Sequence, residues 1–205
     1  PSPTGKIPYA WGGALGSNAV GDSQIIIDRL QQCGIGRDLD SWLSPEQYAV
    51  GTALRHMLED SVYFYVLHVR WSSSELQRVT LPAYYGHLPW IVQQALALFM
   101  PRMILRALYL QGTGRLTDED VTRKAACAID ALSRILGDKT YLFGEKPCSF
   151  DAVAYAFIAA LTQGDWDHPI NRHARACRNL LKYADRMRCK LFPELVGAVV
   201  CTKMG

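Results

Sequence analysis

The sequence lacks the patterns of a membrane span, a metal cluster and a disulfide framework. Its longest uninterrupted apolar run is the ten residues from Ala152 to Leu161, about half of what a transmembrane helix needs. The six cysteines lie far apart and form no Cys-x-x-Cys pair and no cysteine–histidine cluster. We therefore expect no metal, no dense set of disulfides, and a reduced, cytoplasmic location.

The sequence also lacks a large excess of charge of one sign. Lys and Arg total 22 against 19 Asp and Glu, which gives a formal net charge of +3. This mild balance does not favour a nucleic acid partner, and the first residues do not have the pattern of a secretory signal. The composition is that of an ordinary globular protein, 49% hydrophobic and 20% charged. At 205 residues, the chain is long enough for one or two domains with a buried core.

The start of the chain predicts two short strands followed by a helix. Because Pro8 forces the residue before it into extended geometry, residues 7–10 are expected to form a strand. A second strand is expected to end near Val20, after a glycine-rich turn. Asp22 and Ser23 stand directly before an apolar run, which is the pattern of a helix N-terminus.

From Ser44 onwards the pattern is almost purely helical. Ser44 begins a capping box, with Pro45 at the first helical position. Helices are expected over 45–71, 91–111, 118–136, 149–161 and 174–190. The fourth of these is apolar on all sides, so we expect it at the centre of a helical bundle.

Several stretches, taken in order, resemble the glutathione S-transferase superfamily, in particular its failed-axon-connections and metaxin-like branch. They are Gly5-Lys6-Ile7-Pro8-Tyr9, Asp22-Ser23, Arg55-His56-Met57-Leu58-Glu59 with Arg70-Trp71, Arg106 to Arg115, and Tyr141 to Ala152 with Phe192-Pro193-Glu194-Leu195. The resemblance implies an α+β fold that is mostly α. A partial thioredoxin-like N-terminal domain would occupy residues 1–36, as the C-terminal part of a glutathione-binding domain. An all-α bundle like the glutathione S-transferase C-terminal domain would occupy residues 44–205.

The resemblance also implies a glutathione site at the start of the chain. Ile7 would offer its backbone to the cysteinyl part of glutathione, with Pro8 holding the turn and Lys6 beside them. Ser23 would bind the γ-glutamyl carboxylate at the helix N-terminus, where the helix dipole favours an anion. Asp22 would face the ammonium group of the ligand. Without a ligand, Pro8 would be a structural proline, and Asp22 with Ser23 would be a helix cap.

A second substrate would lie against the first long helix. By resemblance, His56, Tyr63 and Arg70 are the candidate residues of this acceptor pocket. Family members carry a strand, a helix and another strand before the Lys-x-Pro segment, and their thiol-activating residue lies there. No catalytic residue is therefore assigned, and the N-terminal domain is expected to be incomplete in this chain. As an enzyme, the protein would use glutathione and a small electrophile as substrates, without a metal.

Other functions stay open at this stage. The metaxin-like branch also implies a non-catalytic adaptor or a membrane-associated scaffold with the same fold, and fold alone does not decide the function. The resemblance is compatible with a homodimer. A basic face on the last expected helix would suit an acidic partner. Its members are Arg172, Arg175, Arg178, Lys182 and Arg186.

Overall fold

A computed structural model describes residues 8–164 and 166–194 of the chain. The chain divides into two compact units, Pro1–Trp42 and Leu43–Gly205. The fold is α+β and mostly helical, with a two-stranded sheet in the first unit. This confirms the expected fold class. The domain limits drawn from the sequence, 1–36 and 44–205, stay a prediction of where each family domain begins and ends.

The first unit contains a small antiparallel sheet followed by a helix. Strand β1 is Tyr9–Ala10 and strand β2 is Val20–Gly21, with Tyr9 opposite Gly21 in the register. A short 3₁₀ turn lies between the strands. Helix α1, Ser23–Gln32, follows β2 after one residue. The strand–turn–strand–helix order matches the expectation from the sequence, and Ile7 lies outside the described residues.

The second unit is built from eight α-helices within the described residues. They are α2 Pro45–Met57, α3 Tyr63–Ser72, α4 Ser74–Tyr85, α5 Trp90–Gln111, α6 Asp118–Leu136, α7 Ser149–Thr162, α8 Pro169–Ala176 and α9 Arg178–Leu191. Each of the five expected segments is helical, but besides a π-helical turn between α2 and α3, two expectations about this region were wrong. No helix was expected between residues 71 and 91, where the structure has α4, and the last expected helix is two helices, α8 and α9.

Local capping explains both differences. The Ser73 hydroxyl accepts a hydrogen bond from the Leu76 backbone N–H at 3.4 Å, which begins α4 within what looks like a serine-rich break. The His168 ring nitrogen Nδ1 accepts from the Ile170 N–H at 3.3 Å and begins α8 ahead of the expected start. Cys177 then has ψ near 88°, outside the helical region, and separates α8 from α9.

The core of the second unit lies around α7. This helix packs against α2, α8 and α9, as expected for an apolar central helix. A Cβ atom on Gly51 of α2 would lie only 2.5 Å from the Phe150 ring, so glycine permits the close approach of α2 and α7. Fully buried core side chains include Leu132, Leu136, Ile158, Leu180 and Tyr183.

A buried carboxylate holds the start of α7. Asp151 is 1% exposed, and its two oxygens accept from the backbone N–H groups of Leu142 and Cys148, both at 2.9 Å. The Tyr183 hydroxyl on α9 donates to the same carboxylate at 2.9 Å. Buried polar groups need hydrogen-bond partners. This network supplies them, and it joins α7 to α9 and to the loop before α7. Asp151 therefore has a role in folding.

Helix α5 is long and apolar enough to cross a membrane, judged by length and composition alone. Its 22 residues have a mean hydropathy of 1.3 in the most apolar window, and 11% of that window is buried. Helix α5 does not stand out in the sequence as one apolar run, because Gln93, Gln94 and Arg102 interrupt it. Trp90, Ile91 and Leu110 are each at least 70% exposed, so much of the apolar surface of α5 is uncovered by the residues that the structure describes.

Candidate functional site

The sheet of the first unit brings Pro8 and Asp22 together. Since β1 and β2 are antiparallel, the residue before β1 lies opposite the residue after β2. The Asp22 N–H donates to the Pro8 carbonyl oxygen at 3.3 Å. Ser23 follows as the first residue of α1. Two motifs that are 14 positions apart in the sequence are thus adjacent in the fold.

Asp22 holds the start of α1 with a strained backbone. Its Oδ1 accepts from the N–H groups of Gln24 at 2.9 Å and Ile25 at 3.3 Å, which makes it the N-cap. Its φ is 79°, and Asp22 is the one non-glycine residue with positive φ in residues 8–164 and 166–194. Such a conformation costs about 1–3 kcal/mol and is often found at binding sites. The surrounding structure therefore holds Asp22 in a backbone conformation that a non-glycine residue disfavours.

The start of α1 has a negative carboxylate beside the positive end of the helix dipole, an arrangement that suits a small zwitterion. Asp22 and Ser23 are both exposed. The cap bonds account for two of the first N–H groups of α1, and Ser23 presents its hydroxyl at the positive end of the helix dipole. A carboxylate bound at Ser23 and an ammonium at Asp22 would both be favourable. Two further expected members of the site, Lys6 and Ile7, lie outside the described residues.

The three candidate acceptor residues each contact a different neighbour. The His56 Nδ1 lies 2.9 Å from the Asp60 Oδ2 on an exposed helix surface. The rings of Tyr63 and Phe64 meet edge to face, with centroids 5.2 Å apart. None of the contacts among the described residues joins the three candidates, and their place in a pocket stays a prediction.

Arg70 is the most engaged of these candidates. Its guanidinium donates to the Tyr84 hydroxyl at 2.9 Å and lies 4.9 Å from the centre of the Trp166 ring. Trp166 is buried, so this cation–π contact ties α3 to the loop before α8. These contacts give Arg70 a structural role whether or not a substrate approaches it.

A π-helical turn between α2 and α3 was not expected from the sequence. It spans Leu58–Val62 and widens one turn within what was predicted as a single helix over 45–71. Leu58 and Val62 are almost fully buried. Single π-helical turns are frequent near functional sites, and this one lies between His56 and Tyr63. Nothing in the residue types of 58–62 would have indicated it.

Comparison with known proteins establishes the family. Residues 1–76 match the model of the glutathione S-transferase N-terminal domain, and residues 125–187 match that of the glutathione S-transferase C-terminal domain. The chain is 30% identical to isoprene-epoxide–glutathione S-transferase from Rhodococcus sp., over 91% of this chain and 78% of the relative. It belongs to the glutathione S-transferase superfamily.

Other relatives confirm the branch expected from the sequence. The chain is 28% identical to Failed axon connections of Drosophila melanogaster, over 99% of this chain and 50% of that protein. It is 26% identical to the metaxin-1 homolog of Caenorhabditis briggsae, over 94% of this chain and 61% of that protein. The chain thus spans half to three fifths of the length of these two relatives. No solved structure matches it.

Proposed function

We propose that this superfamily member binds glutathione in its first unit and presents the glutathione thiol to a small electrophile. The observation that carries the proposal is the hydrogen bond between the Asp22 N–H and the Pro8 carbonyl oxygen, 3.3 Å long. It places the start of α1 next to the backbone edge at Pro8. A short peptide can therefore use a backbone edge and a helix N-terminus at once.

Each part of glutathione has a chemically matched partner. The extended backbone at Ile7 and Pro8 would pair with the cysteinyl residue, as a strand edge receives a peptide. The Ser23 hydroxyl would bind the γ-glutamyl carboxylate, and the Asp22 carboxylate would face the ammonium group. Lys6 stays a candidate for the remaining negative charge of the ligand. The strained backbone of Asp22, with φ of 79°, supports a binding role because an unstrained residue would serve as well for a cap.

The proposed chemistry is nucleophilic attack by the bound thiolate. The name of the Rhodococcus relative, isoprene-epoxide–glutathione S-transferase, points to epoxides as the electrophile class to test first. The sulfur would form a bond to one epoxide carbon while the carbon–oxygen bond breaks, and the resulting alkoxide would take up a proton. The product is a hydroxy-thioether, and no metal or redox partner is needed. In this proposal, the protein is a cytoplasmic enzyme, and its second substrate lies near His56, Tyr63 and Arg70.

Calorimetric titration with glutathione tests the binding step. Ser23→Ala is expected to weaken binding tenfold or more, about 1.4 kcal/mol, because it removes the hydroxyl that holds the carboxylate. Ser74→Ala is the matched control, since Ser74 is also exposed and also the first residue of a helix, α4. Absence of binding, or equal losses in both variants, would contradict the proposal.

The exposed apolar surface of α5 supports a second candidate function. We propose, as the alternative, a non-catalytic adaptor that attaches to a membrane surface through α5, whose most apolar window is 11% buried. Flotation with phosphatidylcholine vesicles is the test. Ile91→Ser combined with Leu110→Ser should abolish flotation, and Val79→Ser on α4, a less exposed apolar position, should not. A protein that stays with the soluble fraction contradicts this alternative.

A further inference from the structure

Three side chains that can bind a metal lie together in the second unit. Asp130 is on α6, His173 is on α8, and Cys177 is at the junction of α8 and α9. Each offers a ligand atom within 4.8 Å of those of the other two, and all three residues are half-buried. No metal was expected from the sequence, because the three ligands do not form a cluster along the chain. Asp130 and His173 are 43 positions apart.

The backbone that carries these residues is firmly packed. Ile129, next to Asp130, is 2% exposed, and Ala174, next to His173, is 1% exposed. Cys177 directly follows the last residue of α8, and its ligand atom lies within 4.8 Å of that of His173. Sites carried on packed helices keep their geometry better than sites on loops. The three ligand atoms are therefore held near one another by the core of the unit.

Hydrogen bonds also join the elements that carry the candidate ligands. The Asp130 Oδ1 lies 2.8 Å from the His173 Nε2. The Ser133 hydroxyl, on α6, donates to the Asn179 Oδ1 at 2.8 Å. The Asn179 amide returns a hydrogen bond to the Ser133 carbonyl at 2.8 Å. These bonds join α6 to the start of α9, next to the candidate ligands Asp130 and Cys177.

We propose that Asp130, His173 and Cys177 form a Zn²⁺ site with water in the fourth position. A thiolate, an imidazole and a carboxylate are all zinc ligands, and three protein ligands with one water is a common zinc arrangement. The thiolate disfavours Mg²⁺ and Ca²⁺, which select oxygen ligands. Ligand atoms around tetrahedral zinc lie roughly 3.3–3.6 Å apart, from the zinc–ligand bond lengths. Side-chain rotations that move the ligand atoms by about 1 Å would reach those separations, closing distances of up to 4.8 Å and opening the 2.8 Å contact between Asp130 and His173.

Zinc at this point would join α6 to the junction of α8 and α9. The site lies wholly within the second unit and uses none of the residues proposed to bind glutathione. Its role would be to stabilise the helical bundle, with an open position that also admits a small anionic or thiol ligand.

Cobalt substitution tests the site directly, because Co²⁺ bound to a thiolate in a tetrahedral site absorbs both in the near ultraviolet and in the visible. The full chain, stripped of metal by a chelator, is expected to bind one Co²⁺ with both absorptions, and one Zn²⁺ should displace it. Cys177→Ser should remove the near-ultraviolet band, and His173→Gln and Asp130→Asn should each weaken Zn²⁺ binding at least tenfold.

Two matched controls separate this site from adventitious binding. Cys189→Ser removes an exposed cysteine, and His56→Gln breaks an exposed histidine–aspartate pair of similar length, 2.9 Å, outside the proposed site. Neither should change the cobalt spectrum. The proposal is overturned if the wild-type chain shows no thiolate–cobalt band, or if a control removes the band. Unchanged zinc affinity in folded His173→Gln would overturn it as well.

Discussion

Asp22 and Asp151 both hold the first turn of a helix, but in opposite surroundings. Asp151 is buried, has Tyr183 as a partner, and accepts from the backbone of two segments. Asp22 is exposed, has a positive φ, and accepts only from the first turn of its own helix among the described residues. The Asp151 carboxylate makes its hydrogen bonds inside the core and so stabilises the fold. The Asp22 carboxylate stays exposed, and its backbone has a conformation of high energy, as residues at binding sites often do.

The largest effect should follow loss of the buried carboxylate. Asp151→Ala leaves the N–H groups of Leu142 and Cys148 and the Tyr183 hydroxyl without their acceptor, and unsatisfied buried groups are costly. We expect a loss of about 3–5 kcal/mol in the free energy of unfolding, measured by urea denaturation. Tyr183→Phe removes only one donor and should cost about 1 kcal/mol. Equal, small losses in both variants would show that the network contributes little.

Alkaline pH should destabilise the same network. Burial raises the pKa of the Cys148 thiol to about 12, with the Asp151 charge as the next cause. Burial likewise raises the pKa of the Tyr183 hydroxyl. Above the ordinary thiol pKa the unfolded chain loses the Cys148 proton while the native chain keeps it, so stability falls as pH rises. The slope from this group approaches about 1.4 kcal/mol per pH unit between about pH 9 and pH 12.

Cys148→Ser provides the control for this pH dependence, because a serine hydroxyl does not titrate in that range. Urea denaturation at several alkaline pH values should give a shallower loss of stability in the variant than in the wild-type chain. Parallel curves would mean that the Cys148 thiol is not responsible.

A half-buried cap lies between the two extremes. His168 begins α8, and burial lowers its pKa, with Asp118 as the main opposing charge. The unfolded chain therefore takes up this proton first as pH falls below about 6.5, and the native state loses stability relative to neutral pH. His168→Asn keeps an acceptor at the cap and should flatten this acid dependence in thermal unfolding. An unchanged dependence would assign it to other groups.

The smallest stability effect is expected at Asp22. Asp22→Gly loses the cap, which costs only a few tenths of a kcal/mol for glycine, and it removes the strain of positive φ. The free energy of unfolding should change by less than about 0.5 kcal/mol, while glutathione affinity should fall at least tenfold. Parallel urea denaturation and calorimetry would decide. A large stability loss with unchanged affinity would reverse the comparison between Asp22 and Asp151.

The sequence predicted the limits of most helices to within one residue, but it did not predict breaks inside the expected helices or distant contacts. The caps at Asp22, Ser44 and Thr117 were predictable because a capping side chain acts on N–H groups two or three residues away. Helix α4 was missed because three serines and Pro82 favour a connector, and tertiary burial of Leu76 outweighs them.

The candidate sites divide along the same line. Pro8 with Asp22 was predictable from family motifs, and antiparallel pairing of two short strands makes them adjacent. The cluster of Asp130, His173 and Cys177 was not, since it depends on how α6 packs against α8. Local hydrogen bonding can be inferred from neighbouring residues, whereas convergence of distant side chains requires the fold.

The most direct test of the account is an NMR titration of the isotope-labelled chain with glutathione. We predict shifts in the backbone amides of Tyr9, Asp22, Ser23 and Gln24, with no shift at Leu142 or Cys148 around the buried carboxylate. Ser23→Ala should reduce those shifts at the same glutathione concentration. The account is contradicted if the amides around Asp22 do not respond, or if the response centres on α7.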